Sequence, residues 1–406
     1  MLAPYRGVLA RPGALGFCAA GVVARLPISM VGIGIVLAVS SIYDSYALAG
    51  RVSAVYIVIS SVTAPTIGKL VDRYGQARVM APTVVVTGVG LVGLVVALVT
   101  EAPEWVLYAA AVVAGVTGQF GSLTRARWSH LLRGEPDALH TAYSLEAALD
   151  EVVFIVGPAT ATLLATGVAP TAGIVVPLVA LAIGATWFLG QRATQPPPVR
   201  PAAEGRGRSI LLMPGMAAIV VVFLAMGAIF GATDVSTVAF AEEAGHKSVA
   251  GIILAVFAAG SMISGLAYGA RHWVRPLWVR FGIGMVAIAA GVSLFVVVGS
   301  LAALAAVMFV TGFAIAPTLI NGNGLVQELV PAARLTEGLT WVGTALGIGV
   351  SVGSSIAGAR IDATGSHGGF VVVLAAAGCA VVATLASLRT LRTQHARALA
   401  VTASVV

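Results

Sequence analysis

The sequence predicts an all-α membrane protein whose twelve transmembrane helices form two six-helix bundles. The composition, the recurrence of long apolar runs and a similarity between the two halves support this prediction. Of the 406 residues, 59% are hydrophobic and 10% are charged, and the mean hydropathy is +1.00. Soluble domains carry about 25% charged residues. Because so few charges cannot cover a water-facing surface, we expect lipid to surround most of the chain.

Apolar runs long enough to cross a bilayer, which takes about 20 residues, recur twelve times. We expect helices, since these runs are too long for barrel strands and a helix satisfies its own backbone in hydrocarbon. The predicted spans cover residues 14–41, 48–69, 78–100, 105–125, 140–166, 170–190, 213–240, 248–270, 276–298, 300–323, 336–360 and 368–388.

The linker between the sixth and seventh spans is the one stretch rich in proline and charge. It predicts an N-terminal bundle at 1–190, a cytoplasmic linker at 191–212, a C-terminal bundle at 213–392 and a cytoplasmic tail at 393–406. Residues 115–132 also resemble residues 312–330. A repeat of this kind is typical of transporters, and chance similarity between Gly- and Ala-rich helices is the alternative.

The basic residues set the predicted orientation. With the N-terminus in the cytoplasm, nearly all of the 23 Lys and Arg residues, Arg125 among them, fall on the cytoplasmic side. Lys247 and Arg360 fall on the opposite side, while Arg25 and Arg51 lie within or beside spans. We therefore expect a multi-pass protein of the cell inner (cytoplasmic) membrane with both termini cytoplasmic. The same bias explains the pI of 9.8 without any nucleic-acid partner.

A motif follows the second predicted span and contains Gly68, Asp72, Arg73, Gly75 and Arg78. A glycine allows a tight turn, and an aspartate can accept hydrogen bonds at a helix N-terminus. The motif resembles the signature loop of the major facilitator superfamily, although a basic cytoplasmic loop would also contain arginines. The resemblance covers the whole chain. It implies two bundles around a central cavity, alternating access, and a cytoplasmic gate formed by these five residues.

Two acidic residues join the predicted gate. Glu146 and Glu337 occupy matching places at the starts of spans five and eleven. Ion pairs with Arg73, Arg78 or Arg127 would close the gate, whereas the alternative is a simple cap of the first helical turn. The corresponding loop of the second half, residues 265–271, keeps its glycines and arginine but has no acid. We therefore expect the cytoplasmic gate to be asymmetric, with only the loop of the first half supplying an acid.

Ionisable residues within spans are candidates for function, because burying them in lipid is costly. Arg25 and Asp150 lie at a similar depth, roughly 15–17 Å at 1.5 Å per residue, and the resemblance implies that their helices are neighbours. Because Asp150 and Glu151 diverge by about 100° around a helix, we expect one of them to pair with Arg25. This pair would couple transport to protons, or alternatively hold the bundle together. Asp234 lies near the predicted outer mouth, as a gate residue or as a solvated acid.

Polar residues in spans four and ten are candidate substrate contacts. The resemblance implies that spans one, four, seven and ten line the cavity, which nominates Gln119, Asn321 and Asn323. The two asparagines could instead unwind and cap a helix end. Trp341 is a further candidate, because the repeat aligns it with Asp150.

The chain has no P-loop, zinc-ligand spacing, catalytic triad or haem motif, so we expect no cofactor, no metal site and no enzyme activity. Gly157-Pro158 in the fifth span is similar to a motif of drug–proton antiporters. Those antiporters also have an arginine in a motif of the fourth span, and Val112 stands in its place in this chain.

We predict a secondary transporter, acting as a monomer, that couples efflux of a small organic solute to protons across the lipid bilayer. The alternatives are an importer or uniporter of this fold and a sensor or assembly protein that does not transport.

Overall fold

The structure, a computed structural model, describes residues 3–198, 209–213, 215–246 and 249–403. Within these ranges the chain is helical and contains no strand. The helices are α1 Ala3–Leu9, α2 Ala14–Tyr43, α3 Tyr46–Tyr74, α4 Gln76–Val99, α5 Glu104–Gly115, α6 Phe120–Leu131, α7 Pro136–Gly167, α8 Ala172–Gly190, α9 Met216–Glu243, α10 Ala250–Gly269, α11 Leu277–Ser293, α12 Leu301–Leu329, α13 Leu335–Thr364 and α14 Ser366–Ala403.

Twelve helical stretches of the described residues are long and apolar enough to cross a membrane, which confirms the predicted fold class. Many large apolar side chains on them are exposed, among them Val62, Leu163 and Val310, as lipid-facing helices require. Three details differ from the prediction. The fourth span is two helices, α5 and α6; the fifth begins at Pro136; and helix α14 continues to Ala403 through most of the predicted tail.

The chain divides into two compact units. The N-terminal unit comprises Arg6–Glu135 and Leu149–Ala202, and the C-terminal unit comprises Met1–Tyr5, Pro136–Ala148 and Ala203–Val406. The beginning of α7 therefore groups with the C-terminal half of the chain, whereas the sequence placed all of it in the N-terminal bundle. Residues 199–208 of the predicted linker, with Arg200, Arg206 and Arg208, lie outside the described residues, as does Lys247.

In the N-terminal unit, α2 packs against α8 and α3, and α4 packs against α5 and α8. Small residues let these helices approach closely. A methyl group added to Gly90 would lie 2.1 Å from the backbone nitrogen of Ala114, and one added to Gly184 would lie 2.4 Å from that of Ala24. Without a hydrophobic drive between helices in lipid, such close backbone packing is a main source of association.

In the C-terminal unit, α9 packs against α13 and α14, and α10 packs against α12. Gly227 and Gly231 on α9 meet Gly349 and Gly353 on α13, and a methyl group on any of the four would lie 2.0–2.2 Å from a backbone carbonyl oxygen of the other helix. Both helices thus present glycines one turn apart, the spacing that brings membrane helices into direct backbone contact.

Candidate functional site

The fourth span is interrupted near its middle. Helix α5 ends at Gly115 and α6 begins at Phe120, so residues 116–119 are not helical. The prediction of one continuous helix at 105–125 is therefore wrong. Glycines fit the chain into the tight space at the break: a methyl group on Gly118 would lie 2.6 Å from the Met80 sulfur. Gln119, a predicted substrate contact, is half-buried and stands at the N-cap of α6.

Hydroxyl groups of neighbouring helices satisfy the carbonyl groups that the break frees. The Thr87 hydroxyl of α4 donates to the Val116 carbonyl oxygen at 2.6 Å, and the Thr63 hydroxyl of α3 lies 3.2 Å from the Gly115 carbonyl oxygen. An unsatisfied backbone group in hydrocarbon costs several kcal/mol, so a broken helix is tolerated only where such partners exist. The break is consequently supported by the surrounding helices.

An ionic cluster of three side chains lies beside the first turn of α6. The Arg25 Nη1 atom of α2 is 2.7 Å from Asp150 Oδ1 of α7, and the Arg125 Nη2 atom of α6 is 2.7 Å from Asp150 Oδ2. The exposed fraction is 4% for the Arg25 side chain, 12% for Arg125 and 29% for Asp150. One carboxylate is thus shared by two buried guanidinium groups, and Glu151, the next residue along α7, is half-buried.

Arg125 is the residue of this cluster that sequence reasoning missed. The sequence placed it at the cytoplasmic end of the predicted span 105–125, but α6 continues to Leu131, so Arg125 lies within the span and not at its end. The signal was an arginine within six residues of a polar, glycine-containing break. Gly121 leaves room for the two arginine side chains, since a methyl group there would lie 3.2 Å from Arg125 Nη1 and 3.5 Å from Arg25 Cδ.

The signature motif is mostly helical. Helix α3 runs to Tyr74, and Gly75 alone separates it from α4. The φ angle of Gly75 is +93°, which side-chain-bearing residues rarely adopt, and its N–H donates to the Val71 carbonyl oxygen at 2.8 Å. Of the other residues of the motif, Gly68 is buried and Asp72 is half-buried, whereas Arg73 and Arg78 are exposed.

Arg127 is fully buried, and its guanidinium group donates hydrogen bonds to neutral oxygen atoms and not to the carboxylate that we expected. Its Nε donates to Gln76 Oε1 at 2.8 Å, Nη1 to Thr194 Oγ1 at 2.9 Å and to the Gln191 carbonyl oxygen at 3.0 Å, and Nη2 to the Phe188 carbonyl oxygen at 3.0 Å. Its guanidinium carbon also lies 3.8 Å from the centre of the Phe188 ring. Arg127 thus joins α4, α6 and the end of α8, and its pairing with an acidic residue of the gate stays a prediction.

The two acidic residues predicted for the gate are both in the C-terminal unit. Glu146 of α7 is completely buried, and Glu337 in the first turn of α13 is 5% exposed. Both Glu337 carboxylate oxygens accept hydrogen bonds from Arg334 at 3.0 Å. An ion pair to the preceding turn fits the alternative of a local cap at least as well as a gate.

The predicted contacts of span ten lie within an intact helix. Helix α12 continues to Leu329, so Asn321 and Asn323 are not at a frayed helix end, and the alternative of an unwound end is wrong. The Asn321 side chain is buried and its Oδ1 accepts a hydrogen bond from the Tyr268 hydroxyl at 3.0 Å, whereas Asn323 Nδ2 donates to the Leu319 carbonyl oxygen at 2.9 Å. Trp341 on α13 is half-buried, and Asp234 on α9 is exposed.

Sequence reasoning also missed the contacts between the beginning of α7 and the end of α10, within the C-terminal unit. The Thr141 hydroxyl donates to the Gly269 carbonyl oxygen at 2.7 Å, and His140 Nε2 lies 3.2 Å from the Tyr268 carbonyl oxygen. The Tyr5 hydroxyl donates to the Leu266 carbonyl oxygen at 2.5 Å, and burial raises the pKa of Tyr5 to about 12. Tyr5 therefore remains a neutral donor at physiological pH.

The comparisons with known proteins point to membrane transport. A family model described as the Major Facilitator Superfamily matches residues 17–294. The chain is 30% identical over 154 residues to the tetracycline resistance protein, class C, of Escherichia coli, and the match covers 35% of this chain and 37% of that protein. The chain thus spans little more than a third of the length of this relative.

Solved structures share the fold. A bacterial homologue of the iron transporter ferroportin, crystallised in an outward-facing state, has a TM-score of 0.74 at 14% identity, covering 92% of this chain and 98% of that chain. The human organic anion transporter MFSD10 (TETRAN) has a TM-score of 0.68 at 14% identity, covering 94% and 99%. The matched family is one of transporters, not of enzymes. Because the family match covers more than half of a chain whose described residues also contain twelve candidate membrane spans, the protein belongs to the Major Facilitator Superfamily.

Proposed function

We propose that the protein is a secondary transporter that exports a small organic solute from a bacterial cytoplasm in exchange for protons. The observation that carries the proposal is the carboxylate of Asp150, which lies within a membrane span and is shared by Arg25 and Arg125. Buried ionisable groups are costly in a membrane, and where they are retained they commonly belong to ion pathways.

The cluster has the parts that proton coupling needs. Nearby cations decide whether a carboxylate holds a proton, and the three members of the cluster stand on three different helices, α2, α6 and α7. A rearrangement that draws one arginine away from Asp150 would change the proton occupancy of the carboxylate. Alternating access supplies such a rearrangement, so proton uptake and release would follow the transport cycle.

Export is favoured over import by two observations. The curated relative is named for tetracycline resistance, and Gly157-Pro158 is similar to a motif of drug–proton antiporters. Gly157 also has a structural role, because a methyl group there would lie 2.0 Å from Ser29 Oγ of α2. This close contact keeps α7 against α2 beside the ionic cluster.

The proposal also includes the membrane, the orientation of the chain and the cytoplasmic gate. The distribution of the basic residues supports a protein of the inner membrane with both termini cytoplasmic, and we propose that it acts as a monomer. Asp72, Arg73 and Arg78 would form the cytoplasmic gate, around the turn that Gly75 permits.

The test compares proton-driven transport with solute exchange in vesicles, using a panel of antibiotics and metabolites that includes tetracycline. Asp150→Asn is expected to abolish transport driven by a pH gradient but to retain counterflow, which needs no protonation cycle. The same comparison for Glu151→Gln decides whether that residue takes part. Glu104→Gln removes an exposed carboxylate of the same unit and should behave like the parent.

Each outcome decides between functions. Full proton-driven transport by Asp150→Asn would refute the coupling role. Transport by the parent without any response to a pH gradient would favour a uniporter, and accumulation in the opposite direction would favour an importer. If the parent carries none of the compounds in either assay, a sensor or assembly protein is favoured.

A further inference from the structure

We infer that the segment between α10 and α11 binds the headgroup of an acidic phospholipid. Arg280 holds the phosphate, Arg271 and Arg275 add positive charge beside it, and Trp273 and Val274 lie in the membrane interface. The inference goes beyond the proposed function, because it names a lipid partner of the C-terminal unit. It depends on neither the transported solute nor the direction of transport.

The segment has exposed apolar side chains at the edge of the membrane. It lies outside the helices, since α10 ends at Gly269 and α11 begins at Leu277. Both helices are candidate membrane spans, so the segment between them lies where the bilayer meets water. Val274 is fully exposed and Trp273 is also exposed. Tryptophan is enriched at this depth, and apolar side chains next to basic ones bind the surface of a membrane.

The segment is also basic. Arg271 and Arg275 are exposed, and Arg280 in the first turn of α11 is half-buried. Among the residues that the structure describes, none of the three lies within ion-pair distance of a carboxylate. Basic residues beside a bilayer attract anionic lipids, by about fivefold in affinity for each residue.

The acids of the neighbouring helices do not cancel this charge. Asp137 of α7 is exposed, and its Oδ2 atom lies 3.1 Å from His272 Nδ1 of the segment. Glu328 of α12 is half-buried and has interactions of its own. Even if both acids are counted in full, the three arginines leave an excess of positive charge.

Aromatic rings hold the Arg280 side chain in one orientation. Its guanidinium carbon lies 5.8 Å from the centre of the Tyr268 ring and 6.0 Å from that of the Trp273 ring, distances at which a cation is attracted to a ring face. The two rings are stacked with their centres 4.4 Å apart. The Trp273 indole N–H donates to the Tyr268 carbonyl oxygen at 2.9 Å. This contact fixes the ring beside the arginine.

Arg280 has donors that no described residue uses. Its Nη1 donates to the Tyr268 hydroxyl at 3.0 Å, and that hydroxyl donates to Asn321 Oδ1 at 3.0 Å. The Arg280 Nε atom has no acceptor among the described residues. Arginine has five N–H donors, and phosphate oxygens match them in pairs. A phosphate is therefore the group that this side chain is suited to bind.

The chemistry of the segment selects among the possible phosphates. A phosphatidylcholine headgroup would bring a second cation to a segment that is already positive, so an acidic headgroup is preferred. A soluble phosphate would leave Trp273 and Val274 in water, whereas a phospholipid places its own apolar part beside them. We therefore expect an acidic phospholipid to bind more tightly than either.

The test measures binding of dioleoyl phosphatidylglycerol and dioleoyl phosphatidylcholine to the delipidated full-length protein by native mass spectrometry. We expect the parent to bind phosphatidylglycerol about tenfold more tightly. Arg280→Gln should weaken this binding about tenfold to a hundredfold, the loss of a hydrogen bond to a charged group. Arg275→Gln should weaken it about fivefold, the loss of one charge near the surface. Neither variant should change the affinity for phosphatidylcholine.

Further variants separate lipid binding from folding and from overall charge. Val274→Asp places an anion at a fully exposed position and should weaken phosphatidylglycerol binding about fivefold. Arg280→Lys keeps the charge without the fork and should lie between the parent and Arg280→Gln, and it replaces that variant if the glutamine protein is not monodisperse. Arg133→Gln and Arg360→Gln remove exposed arginines elsewhere in the chain and should bind like the parent.

Glycerol phosphate separates a lipid from a soluble phosphate, because it has the phosphate without acyl chains. We expect it to displace phosphatidylglycerol only at concentrations far above that of the lipid. Displacement at an equal concentration would overturn the inference in favour of a site for a soluble phosphate.

The other results decide as clearly. Equal binding of the two lipids by the parent overturns the inference, and so does parental binding of phosphatidylglycerol by both Arg275→Gln and Val274→Asp. An equal loss in Arg133→Gln or Arg360→Gln would show a general effect of charge and also overturns it. A parent that transports nothing would refute the proposed function and leave this inference standing, because lipid binding is measured without transport.

Discussion

Replacing Asp150 by Asn tests the energetics of the ionic cluster directly. The change keeps the size of the side chain and one oxygen acceptor but removes the negative charge that Arg25 and Arg125, 4% and 12% exposed, both contact. Removing one partner of a buried ion pair costs about 3–5 kcal/mol. Because Asp150 is 29% exposed and the amide oxygen can still accept one hydrogen bond, we expect a loss near the lower end, about 3 kcal/mol.

Arg125→Gln is the informative counterpart. It leaves the ion pair between Arg25 and Asp150 in place, so the free energy of unfolding should change by less than about 1 kcal/mol or rise, as replacing buried charges often does. Arg25→Met with Asp150→Leu is not a neutral rescue, because it leaves Arg125 buried without its anion. Three replacements are needed to remove the cluster.

The assay is the free energy of unfolding measured by steric trapping in bicelles, with proton-driven transport measured on the same preparations. Glu104→Gln, at an exposed site, should leave the free energy of unfolding unchanged. Equal stability of Asp150→Asn and the parent would refute the electrostatic reasoning. So would an equally large loss of stability in Arg125→Gln, because the second arginine would then be a structural partner of the carboxylate.

Three further predictions concern the gate, the core and the topology. Asp72→Asn should fold and insert normally but lower transport at least tenfold, because a neutral amide stabilises the partial charge of a helix end less well; transport is compared at equal expression. Arg127→Lys should lower the free energy of unfolding by about 3 kcal/mol, since lysine keeps the charge but loses the fork that reaches its four acceptors; steric trapping measures the loss. A single cysteine at Glu101 should react with impermeant thiol reagents from outside intact cells, and one at Glu204, outside the described residues, only after the cytoplasmic face is opened.

Controls for these predictions come from the same chain. Asp44→Asn changes an acid away from the motif and should transport like the parent, and parental transport by Asp72→Asn would remove this residue from the gate. Unchanged stability of Arg127→Lys would show that the four hydrogen bonds contribute little. Labelling of the cysteine at position 204 from outside would reverse the proposed orientation.

The sequence could predict part of the ionic cluster but not all of its members. The depth of Arg25 and Asp150 indicated a pair, because position along a helix is local information. The presence of Arg125 in the same cluster depended on where α6 ends and on which face it turns toward α2 and α7. An arginine near the cytoplasmic end of a span satisfies the rule for basic loops equally well, and this is why the sequence assigned it there.

The sequence by itself determined the twelve candidate spans found among the described residues, and nearly where they lie, because hydropathy and the need to satisfy the backbone act over a single span. Only the tertiary structure decided that the fourth span breaks at residues 116–119. A break in hydrocarbon is stable only if other helices supply donors, here Thr63 and Thr87, and no pattern within the span records them. The same reason applies to the carboxylate of Asp150 on α7, which is shared by Arg25 of α2 and Arg125 of α6.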